Sequence, residues 1–262
     1  MSATVEITND IALIRMDDGK ANAINFEMVA ALNAALDTAE SKAKAIVLTG
    51  RDGRFSGGFD LNAFASLGAD GVYKLLDAGA ELLLRLYGGP LPVVAACTGH
   101  AIAMGVFILH ACDTRIGTSG DYKIGANEAI TGMNLPIFAM ELARDRLNPL
   151  HLTRAMIQGF IYNPEGAVEA GYLDMLAEAG AVEAKAIAVA GQLAQLPAPA
   201  YAWNKAAIRK PTLDEMTVGR TEVPADRPLP TPPRPTRTVE MKTEAEKKSR
   251  RGRPRKTGRQ GA

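Results

Sequence analysis

Two glycine-rich turns and one glutamate are the parts of this chain best suited to chemistry. The first turn is RFSGGFDL at residues 54–61, the second is GHAIAMG at residues 99–105, and the glutamate is Glu128. Glycine lets a backbone turn sharply and lets another group approach its N–H groups closely. Two such turns side by side could aim two N–H donors at one oxygen and stabilise a developing enolate or oxyanion. A carboxylate facing that oxygen could then move a proton.

Short strands and amphipathic helices are predicted around these turns. Apolar runs typical of strands occupy residues 45–49 and 93–97, each shortly before a glycine-rich turn. Apolar residues at helical spacing predict helices over 26–41 and 72–87. An extended run with a central turn predicts a hairpin over 7–16. Strands that alternate with helices favour parallel pairing through right-handed crossovers, so the sequence predicts an α/β fold.

The same segments resemble those of one protein family. The two turns and GANE (125–128), in this order and spacing, resemble the crotonase (enoyl-CoA hydratase/isomerase) superfamily, and so do KANAI (20–24) and residues 164–174. The match runs from about residue 4 to about residue 216. The resemblance implies a ββα spiral core with a C-terminal helical region that builds homotrimers or hexamers.

Composition divides the chain into a core and a tail. The net charge of +1 hides 13 Lys and Arg against 5 Asp and Glu in residues 217–262, which gives +8 there and −7 over residues 1–216. The tail contains no Phe, Tyr or Trp, and such a segment cannot bury enough apolar surface to offset chain entropy. We therefore predict a crotonase-like core over 1–195, the start of the C-terminal helical region over 196–216, and a disordered Pro/Arg-rich tail, atypical of the family, over 217–262.

Two further interpretations of this tail stay open. Its composition is typical of a frameshifted reading of a GC-rich gene, which would impair both trimer formation and CoA binding. Residues 250–256, RRGRPRK, resemble an AT-hook, whose arginines enter the narrow minor groove of A·T-rich DNA. A solvated basic tail without a dedicated partner is favoured over DNA binding, so nucleic acid is not expected as the main partner.

The resemblance assigns roles to three residues. In the family, two backbone N–H groups hold the thioester oxygen of an acyl-CoA substrate, and they correspond here to those of Phe59 and Met104. Met104 also begins a predicted helix, whose positive dipole end favours an anion. Glu128 is the implied catalytic base. A partly apolar pocket around it would raise its pKa and make it a better base.

The number of carboxylates distinguishes related reactions within the family. Hydratases use two glutamates, of which the second matches Glu128 while the first falls on Phe107. One carboxylate suffices to take a proton from one carbon and return it to another, so enoyl-CoA double-bond isomerisation is favoured. Hydration, and an impaired member that only binds acyl-CoA, are the alternatives. Dienoyl isomerases carry a further acid at the position of Pro136, which disfavours that activity.

The resemblance also implies where coenzyme A binds. It points to the backbone of the KANAI segment and of the first turn, and helix 72–87 is expected to line the acyl pocket. The implied CoA-binding residues are Lys20, Ala21, Ala23, Gly58, Asp60 and Gly105. Coenzyme A is part of the substrate, so no separate cofactor is expected.

Other classes of site lack their signatures in this sequence. The 2 cysteines, Cys97 and Cys112, lie in apolar contexts without metal-ligand spacing, so we expect buried thiols, no metal and a reducing compartment. No Gly-Lys-Ser/Thr follows a glycine turn, which excludes a Walker loop. Asp113, at a helix end, is expected to be structural. The N-terminus lacks a signal pattern and no apolar run could span a membrane, so we predict a cytoplasmic protein without membrane contact.

Overall fold

Units of two or three strands followed by a helix repeat along the chain as far as residue 131. The computed structural model describes residues 2–221 of the chain. In chain order the elements are β1 (Ala3–Thr8), β2 (Ile11–Met16), β3 (Ala23–Ile24), α1 (Phe26–Lys42), β4 (Ala45–Thr49), β5 (Gly53–Ser56), β6 (Gly58–Phe59), α2 (Leu61–Gly88), β7 (Val93–Cys97), β8 (Gly99–Ile102), α3 (Met104–Ala111), β9 (Thr114–Thr118), β10 (Ile124–Gly125), α4 (Glu128–Thr131), α5 (Ile137–Arg146), α6 (Pro149–Leu152), a π-helical turn (Thr153–Ile157), α7 (Pro164–Ala170), β11 (Met175–Ala177), α8 (Val182–Leu193) and α9 (Ala198–Thr221). From β4 to β10, the first strand of each unit joins the main sheet and the second joins the sheet of β5, β8 and β10, so successive units form a spiral. The predicted α/β fold with a ββα spiral core is confirmed.

Six strands make up the main sheet, in the spatial order β1-β2-β4-β7-β9-β11. β1 and β2 are antiparallel, whereas all neighbours from β2 to β11 are parallel. The β1–β2 hairpin confirms the one predicted over 7–16, although β1 already begins at Ala3. Asn9 and Asp10 form its turn with φ values of 51° and 64°, the left-handed conformation that suits a two-residue hairpin loop.

Two smaller sheets complete the β-structure of the described residues. β10, β8 and β5 form a parallel sheet in that order, and β3 and β6 form a parallel pair. Ala101 of β8 pairs with Ser56 of β5 on one side and with Ile124 of β10 on the other. Because these three residues share one row of a parallel sheet, the segments that follow them leave the sheet at the same edge.

The two helices predicted from apolar spacing are present, and one of them is longer than predicted. α1 matches the prediction over 26–41, with one more residue at its end. α2 begins at Leu61, because the Asp60 side chain accepts hydrogen bonds from the N–H groups of Asn62 and Ala63 in the first turn of the helix, at 2.9 and 3.3 Å. Gly68, with φ 63° and ψ 178°, divides α2 in two. The buried residues of α2 all lie from Val72 onward, so apolar spacing predicts only the second half.

The C-terminal helix α9 extends further than predicted. The disordered tail was expected from residue 217, and this boundary is wrong because α9 continues to Thr221. Three residues explain the longer helix: Met216 is buried, Gly219 packs against α5, and Arg220 pairs with α2. Residues 222–262 lie outside the described residues, so the disorder of that part of the tail and its AT-hook resemblance stay predictions.

A buried ion-pair cluster anchors α9 to the rest of the fold. Asp113, just after α3, forms salt bridges with Lys205 and Arg209 of α9, each with an N–O distance of 2.8 Å. All three side chains are at most 9% exposed. The Arg209 guanidinium also lies over the ring of Tyr87, with its carbon 4.2 Å from the ring centroid. Asp113 therefore has the structural role that the sequence predicted.

Candidate active site

One edge of the small parallel sheet brings together three residues: Phe59, Met104 and Glu128. They follow the ends of β5, β8 and β10 respectively, each within three residues. The carboxyl ends of parallel strands meet at the same edge of a sheet, where ligands of α/β proteins commonly bind. Strand pairing therefore gathers three residues that are spread over the sequence.

Gly58 and Ala103 bring the two glycine-rich turns into contact. Gly58 has a φ of 91°, and a Cβ atom there would lie 2.8 Å from Ala103 Cβ and 3.2 Å from the Met104 nitrogen. A side chain at position 58 would thus occlude the Met104 amide, and only glycine avoids this. Ala103 itself has a φ of 52°, which is unfavourable for a residue with a Cβ atom. It places Met104 at the first position of α3, where the N–H has no intrahelical acceptor.

The Phe59 N–H faces away from the neighbouring strand. β6 pairs with β3, and across this pair the Asp60 N–H donates to the Ile24 carbonyl oxygen at 3.0 Å. Successive N–H groups of an extended strand point to opposite edges, so the Phe59 N–H points away from β3. The Phe59 ring stacks on Phe64, with centroids 5.4 Å apart, and lies against α2 at Gly79.

All three residues line one cavity of about 380 Å³. Its wall is largely apolar, as in pockets that bind apolar ligands. The apolar lining residues include Leu61, Phe64, Leu76, Phe107, Met133 and Phe138. The helix predicted over 72–87 contributes to the wall, as expected, through Tyr73, Lys74, Leu76 and Asp77.

Glu128 presents a buried carboxyl group to this cavity. The residue is 8% exposed, and its Oε2 atom has no hydrogen-bond partner among the described residues. Burial raises the pKa of Glu128 to about 7, because a charged carboxylate loses hydration there. A carboxyl group with this pKa can take up and release a proton near neutral pH.

An aromatic ring occupies position 107, which the family resemblance matches to the first glutamate of hydratases. Phe107 of α3 is buried, lines the cavity, and packs edge-on against His110 at a centroid distance of 6.2 Å. Pro136 lines the cavity as well. Among the described lining residues, the other carboxylate is that of Asp77, which is engaged in an ion pair with Arg220. Sequence reasoning missed Asp77.

Metal ligands and membrane spans are absent from residues 2–221. No group of three or more His, Cys, Asp or Glu side chains in this range could hold a metal ion, and no helix in it is long and apolar enough to cross a membrane. Cys97 and Cys112 are both free and buried, as predicted. Burial raises the pKa of each thiol to about 12.

Comparison with known proteins identifies the family of this chain. Residues 6–224 match the sequence model of the family described as enoyl-CoA hydratase/isomerase. The chain belongs to the enoyl-CoA hydratase/isomerase family. The family resemblance and the crotonase-like fold predicted from the sequence are confirmed.

Relatives within the enoyl-CoA hydratase/isomerase family carry both kinds of name. The chain is 27% identical over 214 residues to human mitochondrial enoyl-CoA delta isomerase 1, and the alignment covers 80% of this chain and 71% of the relative. Over 132 residues it is 32% identical to a probable enoyl-CoA hydratase of Bacillus subtilis, which covers 49% of this chain and 50% of the relative. A solved structure of a Mycobacterium tuberculosis protein described as an enoyl-CoA isomerase is 38% identical, covers 84% of this chain and 96% of its own, and has a TM-score of 0.80. A second structure of the same protein is described as a probable enoyl-CoA hydratase.

Two of the predicted CoA-binding residues of this hydratase/isomerase family member, Ala21 and Gly58, are neighbours of Gly57. The Gly57 N–H donates to the Ala21 carbonyl oxygen at 2.8 Å, and Ala23 pairs with Gly58. Lys20 is exposed on the preceding loop. Gly57 itself lines the cavity, whereas none of these predicted residues does.

Two further residues predicted to bind CoA have structural partners. The Asp60 side chain caps α2, and a Cβ atom on Gly105 would lie 2.5 Å from the Ser56 carbonyl oxygen. Gly105 therefore allows α3 to pack against the first turn. Neither residue lines the cavity. Contact between CoA and any of the six predicted residues stays a prediction.

The contribution of α9 to the site was missed from the sequence. Gly219 and Arg220 line the cavity, although the predicted helical region ends at residue 216. A signal was present, because Leu213, Met216 and Arg220 follow the i, i+3, i+7 spacing of one helix face. The prolines and arginines that follow concealed it.

Proposed function

We propose that this chain moves the double bond of a 3-enoyl-CoA to the 2-position, with Glu128 as the sole carrier of the proton. The composition of the cavity carries the proposal. Glu128 shares the cavity with Phe59, Met104 and Phe107. The family resemblance matches Phe107 to the first of the two glutamates that hydratases use.

Two backbone N–H groups hold the substrate in the proposed reaction. Those of Phe59 and Met104 donate to the thioester oxygen. Glu128 removes a proton from C2, and the electron pair moves into the carbonyl group to give an enolate that the two donors stabilise. Glu128 then returns the proton to C4, so the double bond shifts from C3–C4 to C2–C3 and the carboxylate is regenerated. Coenzyme A is part of the substrate, and the reaction needs no other cofactor.

The electrostatics of the site support these roles. The Met104 N–H is the first of α3, where the helix dipole favours the negative charge that develops on the thioester oxygen. The buried carboxyl group of Glu128, with a pKa of about 7, is matched to proton transfer near neutral pH. The apolar wall of the cavity lowers the local dielectric constant. This strengthens the attraction between the helix dipole and the charge on the thioester oxygen, and it raises the pKa of Glu128.

Hydration of a 2-enoyl-CoA is the second candidate, because a Bacillus subtilis relative is named a probable enoyl-CoA hydratase. Hydration requires a water molecule to be held and activated beside the double bond. Phe107 can neither accept a proton nor orient that water. Isomerisation requires no group at this position, and we therefore prefer it.

The experiment compares a 3-enoyl-CoA with the corresponding 2-enoyl-CoA as substrates of the full chain. Wild type, Glu128→Gln and Glu169→Gln are assayed side by side. Glu169 is an exposed glutamate outside the cavity lining, so it controls for the exchange of residue type. We expect conversion of the 3-enoyl-CoA by wild type and Glu169→Gln. Glu128→Gln should lose about a thousandfold in kcat while retaining acyl-CoA binding.

Each other result selects a different function. Hydration of the 2-enoyl-CoA without isomerisation would overturn the proposal in favour of a hydratase. Binding of acyl-CoA without turnover of either substrate would indicate a member that only binds acyl-CoA. Full activity of Glu128→Gln would remove Glu128 from the mechanism.

A further inference from the structure

The last turn of α9 closes one side of the cavity against α2. Gly219 and Arg220 of α9 and Asp77 of α2 all belong to the cavity wall. The Arg220 guanidinium donates through Nε and Nη2 to the Asp77 carboxylate, with a distance of 3.0 Å for Nη2. The same Nη2 donates to Glu81 at 2.5 Å. We refer to Arg220, Asp77 and Glu81 as the rim triad.

The backbone before Arg220 fits closely on α5. A Cβ atom on Gly219 would lie 2.4 Å from Ile137 Cγ2 and 3.3 Å from the Phe138 nitrogen. Phe138 itself lines the cavity. The end of α9 is thus part of the wall, seated between α2 on one side and α5 on the other.

The two anchors of α9 differ in burial. Lys205 and Arg209 bind Asp113 with side chains that are at most 9% exposed. In the rim triad the Arg220, Asp77 and Glu81 side chains are 27%, 46% and 58% exposed. Ion pairs with such exposure are weak and screened by salt, whereas breaking a buried pair leaves an uncompensated charge. The middle of α9 is therefore firmly held, and its end can move away from α2 without loss of the anchor.

The part of the cavity next to the rim triad suits an acyl chain. Leu76 lies beside Asp77 on α2, and Phe138 lies under Gly219, so apolar side chains lead up to the charged rim. A methylene chain that extends past them meets the ion pairs. It can proceed only if these pairs open, because an apolar chain cannot replace the hydrogen bonds of the charged groups.

We propose that the rim triad determines which acyl chain lengths this site accepts, by holding the end of α9 closed across the acyl cavity. The inference rests on the proposed binding of acyl-CoA in this cavity. Short chains end before the rim and bind with the triad intact. Long chains require the triad to open, so they are turned over less efficiently.

The test measures kcat/KM for 3-hexenoyl-CoA and 3-hexadecenoyl-CoA in each variant. The quantity compared is the long-to-short ratio, which is kcat/KM for 3-hexadecenoyl-CoA divided by kcat/KM for 3-hexenoyl-CoA. Arg220→Gln and the double variant Asp77→Asn/Glu81→Gln open the triad from either helix, so a folding defect of one variant leaves the other. Arg220→Lys keeps the charge. Lys210→Gln is the matched control, because it breaks an exposed ion pair with Asp214 on the same helix, outside the cavity lining.

We expect the long-to-short ratio to rise about tenfold in Arg220→Gln and in the double variant, as for other differences of chain fit in apolar pockets. Arg220→Lys keeps the charge but loses the two-donor fork to Asp77, so its ratio should lie between those of wild type and Arg220→Gln. Lys210→Gln should match wild type. Raising NaCl from about 0.05 M to about 0.5 M should increase the ratio for wild type but not for Arg220→Gln. An unchanged ratio in both triad variants would overturn the proposal.

Binding separates this proposal from the proposed reaction. Calorimetry with hexanoyl-CoA and palmitoyl-CoA, which cannot react, gives a ratio of Kd values for the same variants. If wild type turns over neither substrate, the isomerase proposal fails, and the Kd ratios alone decide on the rim triad. A Kd ratio that shifts towards palmitoyl-CoA in both triad variants supports it, and a constant ratio refutes it.

Discussion

Gly58 lies so close to Met104 that a Cβ atom on Gly58 would come within 3.2 Å of the Met104 amide nitrogen. The two residues belong to different glycine-rich turns, 46 positions apart in the numbering of the chain. Their contact places the Met104 N–H next to the segment that carries Phe59. The absence of a side chain at position 58 is therefore a requirement of the site as well as of the turn.

Gly58→Ala should reduce kcat about a hundredfold, because the added methyl group blocks the Met104 N–H and removes one donor to the thioester oxygen. Gly180→Ala is the matched control. Gly180 also has a positive φ, of 78°, but nothing lies within 4 Å of a Cβ atom there. Both exchanges should cost about 1 kcal/mol of stability from backbone strain. Gly58→Ala should cost more than Gly180→Ala, because its methyl group also collides with Ala103. Equal kcat values for the two variants would show that position 58 matters for folding alone.

The pH dependence of turnover should report Glu128. A general base acts in its deprotonated form, and the pKa of Glu128 in the free protein is raised to about 7 by burial. We expect kcat/KM to increase as the pH rises and to reach half of its plateau near pH 7, because kcat/KM follows the free enzyme. A midpoint near pH 4.5, the ordinary value for a glutamate, would contradict the buried state of this carboxyl group.

Glu128→Gln should make the protein more stable at pH 8. The pKa of Glu128 is higher in the folded state, at about 7, than its ordinary value of 4.5. The contribution of this group to the free energy of unfolding is therefore fully present below pH 4.5 and is lost as the pH rises through about 7. By linkage the loss amounts to about 3 kcal/mol. Urea unfolding at pH 8 and pH 4 should show the variant ahead of wild type at pH 8 only, with Glu169→Gln as the control. Equal stability at both values would contradict the linkage.

Asp113→Asn should destabilise the fold by about 3–5 kcal/mol, because it leaves Lys205 and Arg209 buried without their shared carboxylate. Lys210→Gln removes an exposed pair of the same helix, and we expect a change within about 0.5 kcal/mol. Urea unfolding of both variants at neutral pH measures the difference. Similar unfolding free energies would mean that the buried cluster does not anchor α9.

The segments that form this site could be located from the sequence, because their backbone conformations require particular residue types. Gly58 has a positive φ that side chains disfavour, so its residue type is dictated by the turn itself. Phe59 and Met104 lie within the two glycine-rich turns, and Glu128 follows a third strand at a similarly short distance. Family and fold could thus be recognised from short segments, because each segment has its own conformational requirement. The roles of Phe59, Met104 and Glu128 stay predictions, although the three residues line one cavity.

Packing over long sequence separations could not be predicted in this way. Asp77 and Arg220 are 143 residues apart, and neither residue type implies the other. The burial that raises the pKa of Glu128 likewise depends on cavity walls from several elements. Segment composition even suggested that the chain turns disordered at residue 217, where α9 continues because Met216 and Gly219 find partners on the folded core. Turn geometry is encoded within a few neighbouring residues, whereas burial and ion pairing depend on surfaces that meet only after the helices have packed.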